Sequence, residues 1–149
     1  MLSIRKSAYI VVLLVLFASF LSGCGSLEND ETGEKIMPLT DVLKSDLSKV
    51  DGIDLQFSDG NKLSITDSKT IQDIVSQIKN IKVQETISKG VGYLYYLDLN
   101  EGNKTYRLNS NLTFGEKTYE ATDNNANKLN EFILKLGRGK IPGLLSGVK

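Results

Sequence analysis

Between Ile53 and Thr66 apolar and polar side chains alternate. Ile53, Leu55 and Phe57 fall on one face and Asp54, Gln56 and Ser58 on the other, and Leu63 and Ile65 follow after Asp59-Gly60-Asn61. A period of two is that of a half-buried strand, so this stretch predicts a β-hairpin. Cross-strand partners share a face, and pairing Phe57 with Leu63 and Leu55 with Ile65 requires a loop of odd length, such as residues 59–61. The period then changes. Ile71, Ile74, Val75 and Ile78 stand at the spacing of a buried helical stripe, which predicts a helix over about 68–80 with Asp67 or Ser68 as its N-cap.

Val83 to Ser88 reads as a strand. From Tyr93 to Asn100 the alternation returns, with Tyr93, Tyr95, Leu97 and Leu99 on one face and Leu94, Tyr96 and Asp98 on the other, a tyrosine-rich pattern that favours strand. Lys104 to Asn109 carries Tyr106 and Leu108 in phase. Pairing Leu99 with Tyr106 leaves Gly102-Asn103 as a two-residue hairpin turn and places Asp98 opposite Arg107. One or two further strands are expected between Leu112 and Tyr119, broken at Gly115. Asp123 to Asn125 supply caps for a last helix, on which Leu129, Phe132, Ile133 and Leu136 form the stripe and Gly137 marks the end. Upstream, Thr40 is the expected cap of a short helix carrying Val42, Leu43 and Leu47. The order ββα, several strands, then α predicts an α+β domain over residues 39–137. In it an antiparallel sheet carries two amphipathic helices packed on one face and leaves the other face to solvent.

The first residues have a different organisation. Arg5 and Lys6 make a basic start, an apolar run extends from Ala8 to Leu21, and small residues precede Cys24, the only cysteine. This is the layout of a secretory signal, and a run of about 14 apolar residues is short of the roughly 20 that span a bilayer. Leu21-Ser22-Gly23-Cys24 resembles the lipobox of bacterial lipoprotein precursors. The resemblance implies that residues 1–23 are a signal peptide removed between Gly23 and Cys24, and that the Cys24 sulfur carries a covalent diacylglycerol. Residues 24–38 then read as the lipidated cysteine and a disordered, acidic tether reaching roughly 45 Å at ~3.3 Å per residue. Behind this lipobox, residues 50–137 are similar in layout to the small domains of unassigned activity in lipoproteins of Gram-positive bacteria. A glycine-rich tail, residues 138–149, closes the chain.

Composition narrows the chemistry. Basic and acidic residues balance at 18 each, and without Arg5 and Lys6 the remainder is slightly acidic, which argues against nucleic acid as a partner. Lysine predominates over arginine, and Asn and Ile are abundant, as in an AT-rich genome. Histidine and tryptophan are absent, which removes the commonest general base, the commonest zinc ligand and the best carbohydrate-stacking side chain. No Gly-x-Ser-x-Gly elbow occurs, the lone cysteine is assigned to lipid, and the lysines near Ser45, Ser48 and Ser88 follow from lysine's abundance. Asp51, Asp54 and Asp59, like Asp123-Asn124-Asn125, lack the spacing of a calcium loop and read as turn and cap residues.

The expected function is therefore that of a non-catalytic binding or accessory domain. It sits on the extracytoplasmic face of the cell membrane, held to the lipid bilayer through Cys24, with no metal and no cofactor beyond the lipid and with an envelope protein or ligand as partner. The alternative is an inhibitor-like or immunity-like protein that presents a loop or sheet edge to a secreted or envelope enzyme. The candidate contact is the open sheet face, with Leu94, Tyr96 and Asp98 on one strand beside Arg107 and Asn109 on the next. There the Asp98–Arg107 pair, as an exposed cross-strand ion pair, contributes under about 1 kcal/mol.

Overall fold

A computed structural model describes residues 35–88 and 90–148 of the chain. The expected signal peptide, the expected cleavage and lipidation site at Gly23 and Cys24, and the expected tether up to residue 34 lie outside the described residues. The fold is α+β and the strands pair antiparallel throughout, but they form two four-stranded sheets where one was expected.

The alternating stretches form β2 (Gly52–Phe57), β3 (Lys62–Ile65), β5 (Tyr95–Glu101) and β6 (Lys104–Asn109), which lie in the order β3-β2-β5-β6. Ile53, Leu55, Phe57, Tyr95, Leu97, Leu99 and Leu108 point inward and are buried. The second hairpin has the expected register, Leu99 opposite Tyr106 and Asp98 opposite Arg107, with Gly102 at φ +56° in its turn. The first differs. Leu55 faces Leu63 and Ile53 faces Ile65, two residues away from the expected pairing. Its loop is Ser58-Asp59-Gly60, closed by the Phe57 N–H on the Asn61 carbonyl (2.8 Å) and the Gly60 N–H on the Phe57 carbonyl (3.0 Å). Odd loop length preserves the face. The start of the loop is set by Gly60, whose φ of +89° supplies the left-handed residue that a three-residue hairpin needs.

At the start of β5 two neighbours exchange roles. Leu94 is half-buried against the core, whereas Tyr93 is 37% exposed and stacks on Tyr96. The alternation read from Tyr93 to Asn100 therefore begins only at Tyr95. Before it, the Leu94 N–H donates to Ser110 Oγ and its carbonyl accepts from Ser58, bonds that set its orientation independently of the strand period.

The second sheet has the order β1-β4-β8-β7, built from β1 (Met37–Pro38), β4 (Lys82–Thr86), β7 (Thr113–Phe114) and β8 (Lys117–Ala121). Met37 and Pro38, read as tether, pair with Val83 and Lys82 at the sheet edge, where proline's missing donor is tolerated. One side chain joins the two sheets. Asn109 donates from Nδ2 to the Thr113 carbonyl (3.0 Å) and accepts on Oδ1 from the Thr113 N–H (2.9 Å), so its amide stands in for a backbone ladder pair. The turn between them holds Leu112 at φ +54°, a conformation costly to leucine that burial of its side chain offsets.

Three helices complete the core: α1 (Leu39–Leu43), α2 (Ser68–Lys79) and α3 (Asn125–Lys140). The α1 N-cap is Pro38, with Thr40 inside the helix. Asp67 caps α2, accepting from the Thr70 N–H at 2.9 Å and hydroxyl at 2.6 Å, and these bonds hold its carboxyl below the usual carboxylate range. Ile71, Ile74, Val75 and Ile78 are buried as expected. On α3, Leu129 and Ile133 are buried, Phe132 and Leu136 only half-buried, and the helix runs one turn past Gly137. Gly137 does not end the helix. A Cβ there would stand 2.6 Å from Phe57 Cζ and 2.5 Å from Leu144 Cδ2, so glycine permits α3 to lie against β2. The tail folds back: Leu144 and Leu145 are buried, the Leu145 N–H donates to Asp59 Oδ2, and Arg138 donates to the carbonyls of Leu145 and Val148.

The Tyr95 hydroxyl, 1% exposed as a residue, donates to Asn130 Oδ1 on α3 at 2.6 Å. Burial pushes this phenol above its ordinary value of 10.0, whereas the unfolded chain releases the proton near that value. Above about pH 10 the unfolded state therefore binds fewer protons than the folded one, and stability falls as pH rises. Tyr95→Phe is expected to lower stability by about 1–3 kcal/mol at neutral pH, because Asn130 loses its donor, and to flatten the alkaline decline. Urea midpoints at pH 7 and pH 10.5 measure both. An unchanged alkaline slope would show that this phenol does not govern it.

Candidate functional site

The outer face of β3-β2-β5-β6 is polar, and much of it is satisfied from within. Ser64 Oγ donates to Asp54 Oδ1 at 2.5 Å, Asn100 Nδ2 to Asp54 Oδ2 at 2.9 Å, and Thr105 Oγ1 to Asn100 Oδ1 at 3.0 Å. Arg107 makes a bidentate pair with Asp98, with both bonds at 2.7 Å. That hydrogen-bonded carboxylate holds the guanidinium above its ordinary pKa. Its side chain is 62% exposed, so the pair adds little to stability. What it does is set the guanidinium, whose carbon lies 5.3 Å from the centroid of Tyr96, within cation–π range.

Tyr96 marks the point where this face gives way to a groove of about 700 Å³ between the two sheets. Tyr93, Tyr96, Asn109, Asn111, Thr113 and Thr118 line it. The rings of Tyr93 and Tyr96 are 4.1 Å apart at their centroids, inclined by 46°. Thr118 is 6% exposed and its hydroxyl lies 3.5 Å from that of Thr113. Gly90 and Gly92 bring in the segment ahead of Tyr93 as one wall. Asn111 pins that wall, since its Nδ2 donates to the Gly92 carbonyl at 2.6 Å and its Cβ would lie 3.3 Å from a Cβ built on Gly90. The same bond orients the amide, leaving Asn111 Oδ1 buried with no donor among the described residues. An unsatisfied buried acceptor costs about 1–3 kcal/mol unless something donates to it. On the same segment Ile87 and Val91 are fully exposed, at 101% and 103%.

The sequence-proposed residues thus separate. Tyr96 and Asn109 line the groove, Asp98 and Arg107 brace Tyr96 from beside it, and Leu94 packs on the core. Asn109 is occupied by its bridge to Thr113, so it shapes the groove and has little left to offer a ligand. Tyr93, Asn111, Thr113 and Thr118 were not legible as site residues. Tyr93 fell on the inward face of the alternation, and the other three come alongside only through the turn at Leu112. Ser45, one of the serines near a lysine, has its hydroxyl directed to the Glu101 carboxylate and accepts from the Leu47 N–H. Asp59 likewise serves the Asn61 and Leu145 N–H groups. Comparison with protein-family models, curated proteins and solved structures found no match.

Proposed function

We propose that the chain is an extracytoplasmic lipoprotein of the cell envelope, anchored through lipid on Cys24, whose Glu34–Lys149 unit is a non-catalytic domain that binds its ligand in this groove. The anchor rests on the basic start, the short apolar run and Leu21-Ser22-Gly23-Cys24. Among the described residues no helix is long and apolar enough to cross a membrane. The binding reading rests on one observation: a face that is elsewhere self-paired ends in a concave, tyrosine-lined groove. The full chain, purified in detergent and immobilised, is expected to retain a component of the source envelope that a Tyr96→Ala, Arg107→Ala variant does not. Equal retention by the folded variant would move the contact elsewhere.

The exposed Ile87 and Val91 favour a second reading, an inhibitor-like protein that inserts this loop into the cleft of an envelope enzyme. It predicts that Ile87→Ser, Val91→Ser abolishes the contact and that the captured partner loses activity when the protein is added. Retention governed by Tyr96 and Arg107 alone would reject it.

A further inference from the structure

We infer that the ligand of this groove is a neutral, hydroxyl-rich saccharide; the inference rests on reading the groove as the binding site. A pyranose ring presents a patch of C–H bonds beside a rim of hydroxyls, each both donor and acceptor. Its complement is an aromatic face beside neutral amides and hydroxyls, and such a set lines this groove. Tyr93 and Tyr96 supply the rings, Thr113 and Thr118 the hydroxyls, and Asn111 the amide.

Charge supports the same class. Among the described residues the lining holds no cation and one carboxylate, Glu116. Of the cations nearby, Arg107 is engaged by Asp98 and Lys117 by Glu85, both at 2.7 Å. A phosphorylated or uronic-acid ligand would meet the Glu116 carboxylate and, among the described lining residues, no countercharge. The volume of about 700 Å³ is in the range of small-ligand sites and suits a short oligosaccharide.

The test uses the full chain in detergent and titrates it with neutral tetrasaccharides of glucose and of N-acetylglucosamine, and with a uronic-acid tetrasaccharide, followed by tyrosine fluorescence and calorimetry. One neutral tetrasaccharide is expected to bind, and the uronic-acid one to bind at least about tenfold more weakly. Tyr93→Ala should weaken binding by about tenfold or more, Tyr93→Phe by less than about threefold, and Thr118→Val, which keeps the shape of a buried side chain, by about five- to tenfold. Preference for the acidic sugar, or no neutral sugar bound up to about millimolar concentration, overturns the inference. If an envelope protein is then retained through Tyr96 and Arg107, the groove still stands as the site and only its ligand class is wrong. If neither sugar nor protein is retained, both readings fall.

Discussion

Truncating Phe57 to alanine is expected to remove about 3–5 kcal/mol of stability and to abolish the penalty of adding a methyl group at Gly137. The ring is 1% exposed, meets Tyr95 edge-on with centroids 6.4 Å apart, and lies where a Cβ at residue 137 would need to be. For a domain of ordinary stability, about 5–15 kcal/mol, the single change approaches unfolding. Alanine at position 137 in the otherwise intact protein gains about 1 kcal/mol of helix propensity, but the overlap with Phe57 and Leu144 costs about 1–3 kcal/mol. The Leu144 contact is a flexible methyl, whereas the Phe57 ring has no free space to rotate into. Gly137→Ala should therefore destabilise the wild type and become neutral or stabilising beside Phe57→Ala. Urea unfolding of the four proteins in a double-mutant cycle measures this coupling. Additive effects would mean that helix and strand do not touch there.

The second large effect concerns the amino terminus. Cys24→Ala is expected to abolish incorporation of labelled palmitate completely and to leave the chain at precursor size. On the proposed lipoprotein reading, the thiol is the nucleophile that takes the diacylglyceryl group, and the lipidated cysteine is what the processing peptidase recognises. Mass spectrometry of the mature wild type should find residues 1–23 missing and a lipid on Cys24. Two acyl chains, at about 0.8 kcal/mol per buried methylene, hold a protein on a bilayer where one holds it only marginally. Label retained by Cys24→Ala, or a wild-type chain that keeps its leader, would replace the lipoprotein reading with an uncleaved signal anchor.

Such large effects at Phe57 and Gly137 follow from a contact that no local pattern contains. The stripe Leu129, Ile133 says that α3 has a buried face, and a glycine four residues past Ile133 looks like a helix terminator, since glycine is common there. In the folded protein the next turn continues because the tail behind it has somewhere to go. Leu144 meets Phe57 over Gly137, Leu145 is buried, and Asp59 in the first hairpin loop receives the Leu145 N–H. Partners 86 residues apart in sequence made that decision.

The candidate site divides the same way. Asp98 opposite Arg107 was legible because hairpin register follows from turn length and side-chain phase, both local. The exchange of Tyr93 and Leu94 was not, because it depends on bonds from Leu94 to Ser58 and Ser110. Nor was the groove, whose far side is β7 and β8.

By itself the sequence determined the α+β class, both amphipathic helices, the alternating strands and the inward face of nearly every strand residue. Each of these is a periodicity within one segment, and burial acts on periodicity directly. Tertiary structure alone decided that the strands divide into two sheets, that an asparagine side chain joins them, that Gly137 is a point of close approach, and that the tail docks. It also decided that a tyrosine-lined groove lies between the sheets. Those outcomes depend on which distant surfaces meet, and that is settled by the shape and volume of side chains once they share one core, a quantity that no single segment carries.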